Sequence, residues 1–167
     1  MSSSSPGSSS WWPASASACA TPLSGSSDSP ATTSSAAATE AAGAALAARL
    51  QPGDVVLLEG EMGAGKTTFV RGAARALGFD GPVTSPTFTI GRRYDGGRLP
   101  IAHLDLHRLS GLDDEDPALL EDYLTPDAVA FVEWPEIATP TLERIAFRVR
   151  LEHGGEDLRT ISVEKLS

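Results

Sequence analysis

The chain is short of cysteine, of long apolar runs and of clustered positive charge, and each shortage narrows what it can be. Its one cysteine, Cys19, gives no disulfide framework and no thiolate metal cage. That usage is compatible with a reducing cytosol, and a cytoplasmic location is expected. No apolar run approaches the length that spans a bilayer, so no membrane role is expected. Ala14–Ala20 carries small-residue patterns like those of a cleavage site, but it lacks a basic segment before it and a Leu-rich run after it, so it is not read as a signal peptide. The formal net charge is −9. Affinity for a nucleic-acid backbone comes largely from clustered Lys and Arg. An acidic chain of this kind is expected to reach nucleic acid only through a partner.

What is present is unevenly spread. The 167 residues suffice for one ordinary domain. Residues 1–36 are mostly Ser, Ala, Pro, Thr and Gly, with Asp28 as their one charge, and are read as a disordered low-complexity extension. Trp11 and Trp12 lie in it without an assigned role. Residues 37–167 hold the Val, Ile, Leu and Phe runs of a core. Ala42, Leu46 and Leu50 fall at helical spacing in Thr39–Leu50, with Thr39 as the expected N-cap. Asp54–Glu59 reads as a strand covered on both faces, and Thr67–Leu77 as a helix stopped by Gly78. Thr87–Tyr94 and Leu99–Asp105 flank an Asp-Gly-Gly turn and read as a hairpin. A short helix is expected over Pro117–Tyr123, a buried strand over Ala128–Glu133 and a helical turn over Thr139–Glu143. Ile145–Leu151 and Leu158–Val163 form a second hairpin around Gly154 and Gly155. The pattern predicts an α/β fold with a mixed sheet and a C-terminal hairpin.

The chemistry sits in Gly60-Glu61-Met62-Gly63-Ala64-Gly65-Lys66-Thr67, which fits G-x-x-x-x-G-K-[ST] between a hydrophobic strand and a helix. Glycines let backbone N–H groups turn inward around phosphates, and the helix N-terminus adds partial positive charge and unpaired donors. Lys66 supplies a point charge for the β- and γ-phosphates, the Thr67 hydroxyl suits Mg²⁺, and Thr68 can reach the α-phosphate. A purine nucleoside triphosphate with Mg²⁺ is the expected ligand. Asp105 and Glu133 each close an apolar strand, where such folds place the acid that holds Mg²⁺ or orients water. Residue type alone does not divide those two roles between them. Thr84, Ser85 and Thr87 lie in the slot that senses a γ-phosphate in P-loop switch proteins. His103 shares a strand face with Asp105, and His107 falls just past that strand. A histidine metal site would want a third ligand, and His153 is distant, so none is predicted. No nucleophile elbow supports a Ser/His/Asp triad. Asp113–Asp116 reads as a solvated loop, with partner contact as the sharper alternative.

In order along the chain stand Thr39…Gly43…Leu46-Ala47, Gly53-Asp54, Gly60–Thr68, Ser85-Pro86-Thr87-Phe88, His103-Leu104-Asp105-Leu106-His107-Arg108-Leu109 and Glu133-Trp134-Pro135-Glu136. This series resembles the TsaE (YjeE) family of bacterial ATPases that serve tRNA threonylcarbamoyladenosine biosynthesis. The likeness runs from about Thr39 to the C-terminus, with His107 where the family usually has Tyr. It implies a P-loop NTPase-like three-layer sandwich over residues 37–167. It further implies weak ATPase activity together with the TsaB–TsaD heterodimer, in which TsaD modifies the adenosine beside the anticodon, so that tRNA is met only through the complex. By the resemblance, Lys66 contacts phosphate, Thr67 and Glu133 bind Mg²⁺, Asp105 assists hydrolysis, Trp134 lies near the site or the partner surface, and Thr39 approaches the base. Base preference rests on the resemblance, since no guanine-reading N-K-x-D segment occurs.

Hydrolysis by the chain alone is expected to be slow, because no obvious arginine finger lies beside the loop, and Arg108 suits either a role in cis or an ion pair. A small-molecule kinase is the rival enzyme reading, but Leu109–Leu124 is acidic and has no Arg for a lid. The other alternative is a nucleotide-gated binding module.

Overall fold

The computed structural model describes residues 30–86, 89–109, 118–138, 140, 142–155 and 157–167. Among them, seven strands form one mixed sheet in the order β1-β7-β6-β2-β5-β4-β3. The strands are β1 Ala31–Thr33, β2 Val55–Glu59, β3 Gly91–Tyr94, β4 Ile101–Asp105, β5 Val129–Glu133, β6 Ile145–His153 and β7 Arg159–Lys165. The helices are α1 Ala36–Ala47, α2 Lys66–Ala76 and the short α3 Ala118–Glu121, with a 3₁₀ turn over Pro135–Ile137. β2 lies in the middle, parallel to both β5 and β6, and β4 runs parallel to β5. The remaining neighbours pair antiparallel: β3 with β4, β6 with β7, and β7 with β1.

Strand alternation divides the core in two. Val56, Leu58, Ile101, Val129, Phe131, Phe147 and Val149 point toward α1 and α2. Val55, Leu57, Ala102, Leu104, Ala130 and Val132 point the other way, against Leu106, Leu109, Leu120, Ala138 and Leu142. Continuous apolar runs such as Val55–Leu58 are therefore what a strand covered on both faces requires. The α/β expectation with its mixed sheet and C-terminal hairpin holds. No helix of the described residues is long and apolar enough to cross a membrane.

The helical layer is clamped at backbone distance. A Cβ on Gly72 would stand 1.9 Å from the Glu40 carbonyl oxygen, and one on Gly43 would stand 2.0 Å from the Phe69 carbonyl oxygen. Only glycine permits such an approach. Above the contact, the Glu40 carboxylate accepts from Arg75 at 2.5 Å and from Arg71 at 3.4 Å. This fixes α2, whose N-terminus follows the Gly-rich loop, against α1.

Several boundaries differ from the sequence reading. α1 starts at Ala36 with Ser35 as its N-cap: Ser35 has extended φ, and its Oγ accepts from the Ala38 N–H at 3.1 Å. Thr39 is buried one turn inside, where its hydroxyl meets Thr33 Oγ1 at 3.1 Å and donates to the Ser35 carbonyl. Ala31–Thr33, within the tract read as extension, pair with Ile161–Arg159 as an edge strand. β3 begins at Gly91 because the chain bends at Thr89, whose N–H donates to Pro86 O at 2.8 Å. Thr87 and Phe88 lie outside the described residues. A 3₁₀ turn at Pro135–Ile137, where proline at the first helical position favours it, precedes the turn expected over Thr139–Glu143, and there the Leu142 N–H donates to the Ala138 carbonyl at 3.1 Å. Pro117, Thr139, Thr141 and the Asp113–Asp116 run fall outside the described residues.

Candidate nucleotide-binding site

The loop from Gly60 to Gly65 joins β2 to α2 through left-handed turns. Gly65 has φ 104° and stands at the N-cap of α2 with no side-chain cap bond. Gly60 has φ 143°, and a Cβ there would meet the Leu151 carbonyl of β6 at 2.3 Å. The first helical bond runs from Phe69 N–H to Gly65 O at 2.9 Å. The amides of Lys66, Thr67 and Thr68 therefore have no carbonyl to meet within the helix.

The residues that carry those amides line a cavity of about 360 Å³. Met62, Gly63, Gly65, Lys66, Thr67 and Thr68 form its floor. Ser85, Asp105, His107, Arg108, Glu133 and Trp134 close its sides. Parallel pairing of β4 with β5 sets Asp105 directly opposite Glu133. This register brings together residues well separated in sequence.

Lys66 is 5% exposed and Glu133 is 4% exposed. A buried ammonium needs acceptors around it. Lys66 Nζ donates to Gly60 O at 2.7 Å and to Glu61 O at 3.0 Å, and stands 3.8 Å from Glu133 Oε2. It also lies 4.9 Å from the centroid of the Trp134 ring. Trp134 adopts φ 56°, a strained conformation for a bulky residue. Its ring meets that of His107 at 4.8 Å. Asp105 Oδ1 accepts from the His107 N–H at 3.1 Å, which sets the orientation of its carboxylate at the cavity rim.

The other predicted residues stand at or behind the rim. Gly60, Glu61 and Ala64 shape the loop, Ala64 being buried beneath it. Thr84 is exposed, and its carbonyl accepts from the Tyr94 hydroxyl at 3.0 Å. Thr39 backs the loop: its Cγ2 is 3.6 Å from where a Gly65 Cβ would stand. Thr87 lies outside the described residues.

Sequence reasoning gave His103 no role and did not name Arg159. His103 is fully buried, and its Nε2 bonds Glu133 Oε1 at 2.8 Å. Strand alternation already placed His103 on the Asp105 face, but the β4–β5 register was needed to find its partner. Arg159, at the start of β7, brings Nε to 4.0 Å from the Gly65 Cβ position. The fold thus sets Arg108 and Arg159, both distant in sequence, near the loop.

Three comparisons converge on these elements. The family model described as threonylcarbamoyl adenosine biosynthesis protein TsaE matches residues 33–161. A Bacillus subtilis protein named tRNA threonylcarbamoyladenosine biosynthesis protein TsaE is 40% identical over 116 residues, covering 70% of this chain and 72% of its own length. The Streptomyces coelicolor protein of the same name is 41% identical over 130 residues, covering 74% and 88% respectively. The crystal structure of Bacillus subtilis YdiB superposes with a TM-score of 0.68 at 33% identity, covering 83% of this chain and 85% of that one. With the Gly-rich loop, the strand-end acids and the mixed sheet arranged as described, the chain belongs to the TsaE family.

Proposed function

We propose that this chain is a Mg²⁺-dependent ATPase required for threonylcarbamoyladenosine modification of tRNA, acting in the cytoplasm with TsaB and TsaD and meeting tRNA only through that complex. The observation that carries the enzymatic part is the cavity where loop amides, Lys66, Thr67, Asp105 and Glu133 converge. The pathway assignment rests on family membership and on the names of the relatives.

The lining fits a magnesium triphosphate. An uncapped helix start offers N–H donors and partial positive charge to phosphate. Lys66 is the ammonium nearest that start; it donates to two loop carbonyls and pairs with a carboxylate, and phosphate oxygens can take the place of these partners. Thr67 and Glu133 supply the hard oxygen donors that Mg²⁺ takes. The bound cation would neutralise charge on the β- and γ-phosphates. Thr68 would meet the α-phosphate, and Asp105 would orient the attacking water or accept its proton. Gly63 would let the loop amides face the ligand, and Ser85 and Arg108 would border the γ-phosphate end of the cavity.

Phosphate release from ATP and Mg²⁺, measured with and without purified TsaB–TsaD, tests the proposal. Release without any added acceptor is expected, and so is its loss in Asp105→Ala with nucleotide binding retained. Transfer to a small acceptor with no release of free phosphate would make the chain a kinase. Full tRNA modification by a hydrolysis-dead Asp105→Ala would make it a nucleotide-gated module instead.

A further inference from the structure

The buried histidine next to Glu133 has no place in the mechanism above. His103 is 0% exposed, and its Nε2–H donates to Glu133 Oε1 at 2.8 Å. Its Nδ1 has no hydrogen-bond partner among the described residues. A buried imidazole that leaves one nitrogen unpaired is costly for a core position, where an apolar side chain would pack without that penalty. The one polar bond it makes is directed at one oxygen of one carboxylate. That bond leaves Oε2 as the oxygen turned toward Lys66, at 3.8 Å.

We infer that His103 is a positioning residue: it pins Oε1 so that Glu133 presents Oε2 alone to the cavity, and thereby sets the affinity for the divalent cation. This rests on the reading of Glu133 as a Mg²⁺ ligand. A carboxylate at a strand end has rotational freedom about its last bond. Fixing one oxygen from behind removes that freedom and leaves a monodentate donor facing the nucleotide. Partners of this kind, one bond behind the ligand, typically tune metal affinity by about 10–100-fold when they are altered. The same oxygen is shared with Lys66, so an ammonium that leaves Oε2 for a phosphate vacates the position a cation needs.

The test is calorimetric titration of the full chain with AMP-PNP at a series of Mg²⁺ concentrations and, separately, in EDTA. His103→Leu should raise the half-saturating Mg²⁺ concentration on the order of 10–100-fold, while affinity for AMP-PNP in EDTA stays at the unaltered value. His103→Gln, whose amide N–H reaches a similar position, should restore the Mg²⁺ requirement to within about threefold of the unaltered chain. His103→Asn, one bond too short, should not. Unaltered Mg²⁺ dependence in His103→Leu overturns the inference. Should the leucine variant fail to fold, equal Mg²⁺ requirements for the Asn, Gln and unaltered chains would overturn it equally well. A failure of the unaltered chain to bind AMP-PNP under any condition would instead overturn the nucleotide reading itself, and this inference with it.

Discussion

The two long helices lie side by side on one face of the sheet, yet they begin in opposite ways. α1 opens on Ser35, whose hydroxyl accepts from Ala38 N–H and satisfies the first turn from within the chain. α2 opens on Gly65, which has no side chain to offer, and no side-chain bond closes its first turn. With glycine at the N-cap, the missing side-chain bond costs only about a few tenths of a kcal/mol relative to a capping residue such as serine. That cost falls at the floor of the cavity, beside Lys66 and below Asp105 and Glu133. The contrast teaches where to look for a ligand. One helix is completed by its own sequence, and the other exposes donors that suit phosphate. The clamp between them, glycine against backbone, lets the completed helix hold the incomplete one still.

The largest effect should come from breaking that clamp. Gly72→Ala drives a Cβ into the Glu40 carbonyl, and neither helix backbone can shift without disturbing the other. A loss of about 3 kcal/mol is expected, at the upper end for overpacking, with a fall in Tm of roughly 10 °C. Thermal unfolding followed by circular dichroism measures it; an unchanged Tm would mean that the helices are not held at this distance. Next comes the incomplete helix itself. Lys66→Ala should cut affinity for Mg²⁺-ATP by roughly 100-fold, read by calorimetry, since it removes the buried cation nearest the loop. Its far-UV spectrum should be that of the unaltered chain.

Ser35→Ala sharpens the comparison from the other side. It should lower stability by about 1 kcal/mol, read by urea unfolding, and leave nucleotide affinity unchanged. Equal loss of nucleotide affinity would mean that the two helix starts do not have separate roles. The smallest effect is expected from Glu40→Gln, which removes the ion pairs above the clamp. Because these pairs are partly exposed, about 0.5 kcal/mol is expected, and the difference from the unaltered chain should vanish at 1 M salt.

Much of this was legible in the residues because the physics involved is local. Val55–Leu58 is apolar on both faces and could hardly be anything but a central strand. The glycine spacing before Lys66 and the acids Asp105 and Glu133 that close apolar runs stand out in the sequence, and the structure lines one cavity with them. The rest depended on pairing across distance. Ala31–Thr33 carries no strand pattern of its own and is a strand only because β7 offers an edge. Thr39 resembled a cap because Ser35 and Thr39 are both hydroxyl residues one turn apart, and only the extended φ at Ser35 distinguishes them. His103 was weighed as a metal ligand because its neighbours in sequence are considered first, whereas its bonded partner Glu133 lies on the next strand. Arg159 is brought to the loop by the closing hairpin, and no spacing rule connects it to Gly65.

The central claim, that the uncapped start of α2 is where a nucleoside triphosphate is held, is tested most directly by amide hydrogen exchange with and without Mg²⁺-AMP-PNP. Slower exchange confined to Gly60–Thr68, the facing strand ends and the turn at Thr39, with the Asp95–Gly97 turn between β3 and β4 unaffected, is the predicted result. Unchanged exchange across Gly60–Thr68 at saturating nucleotide, or protection confined to another part of the chain, would contradict it.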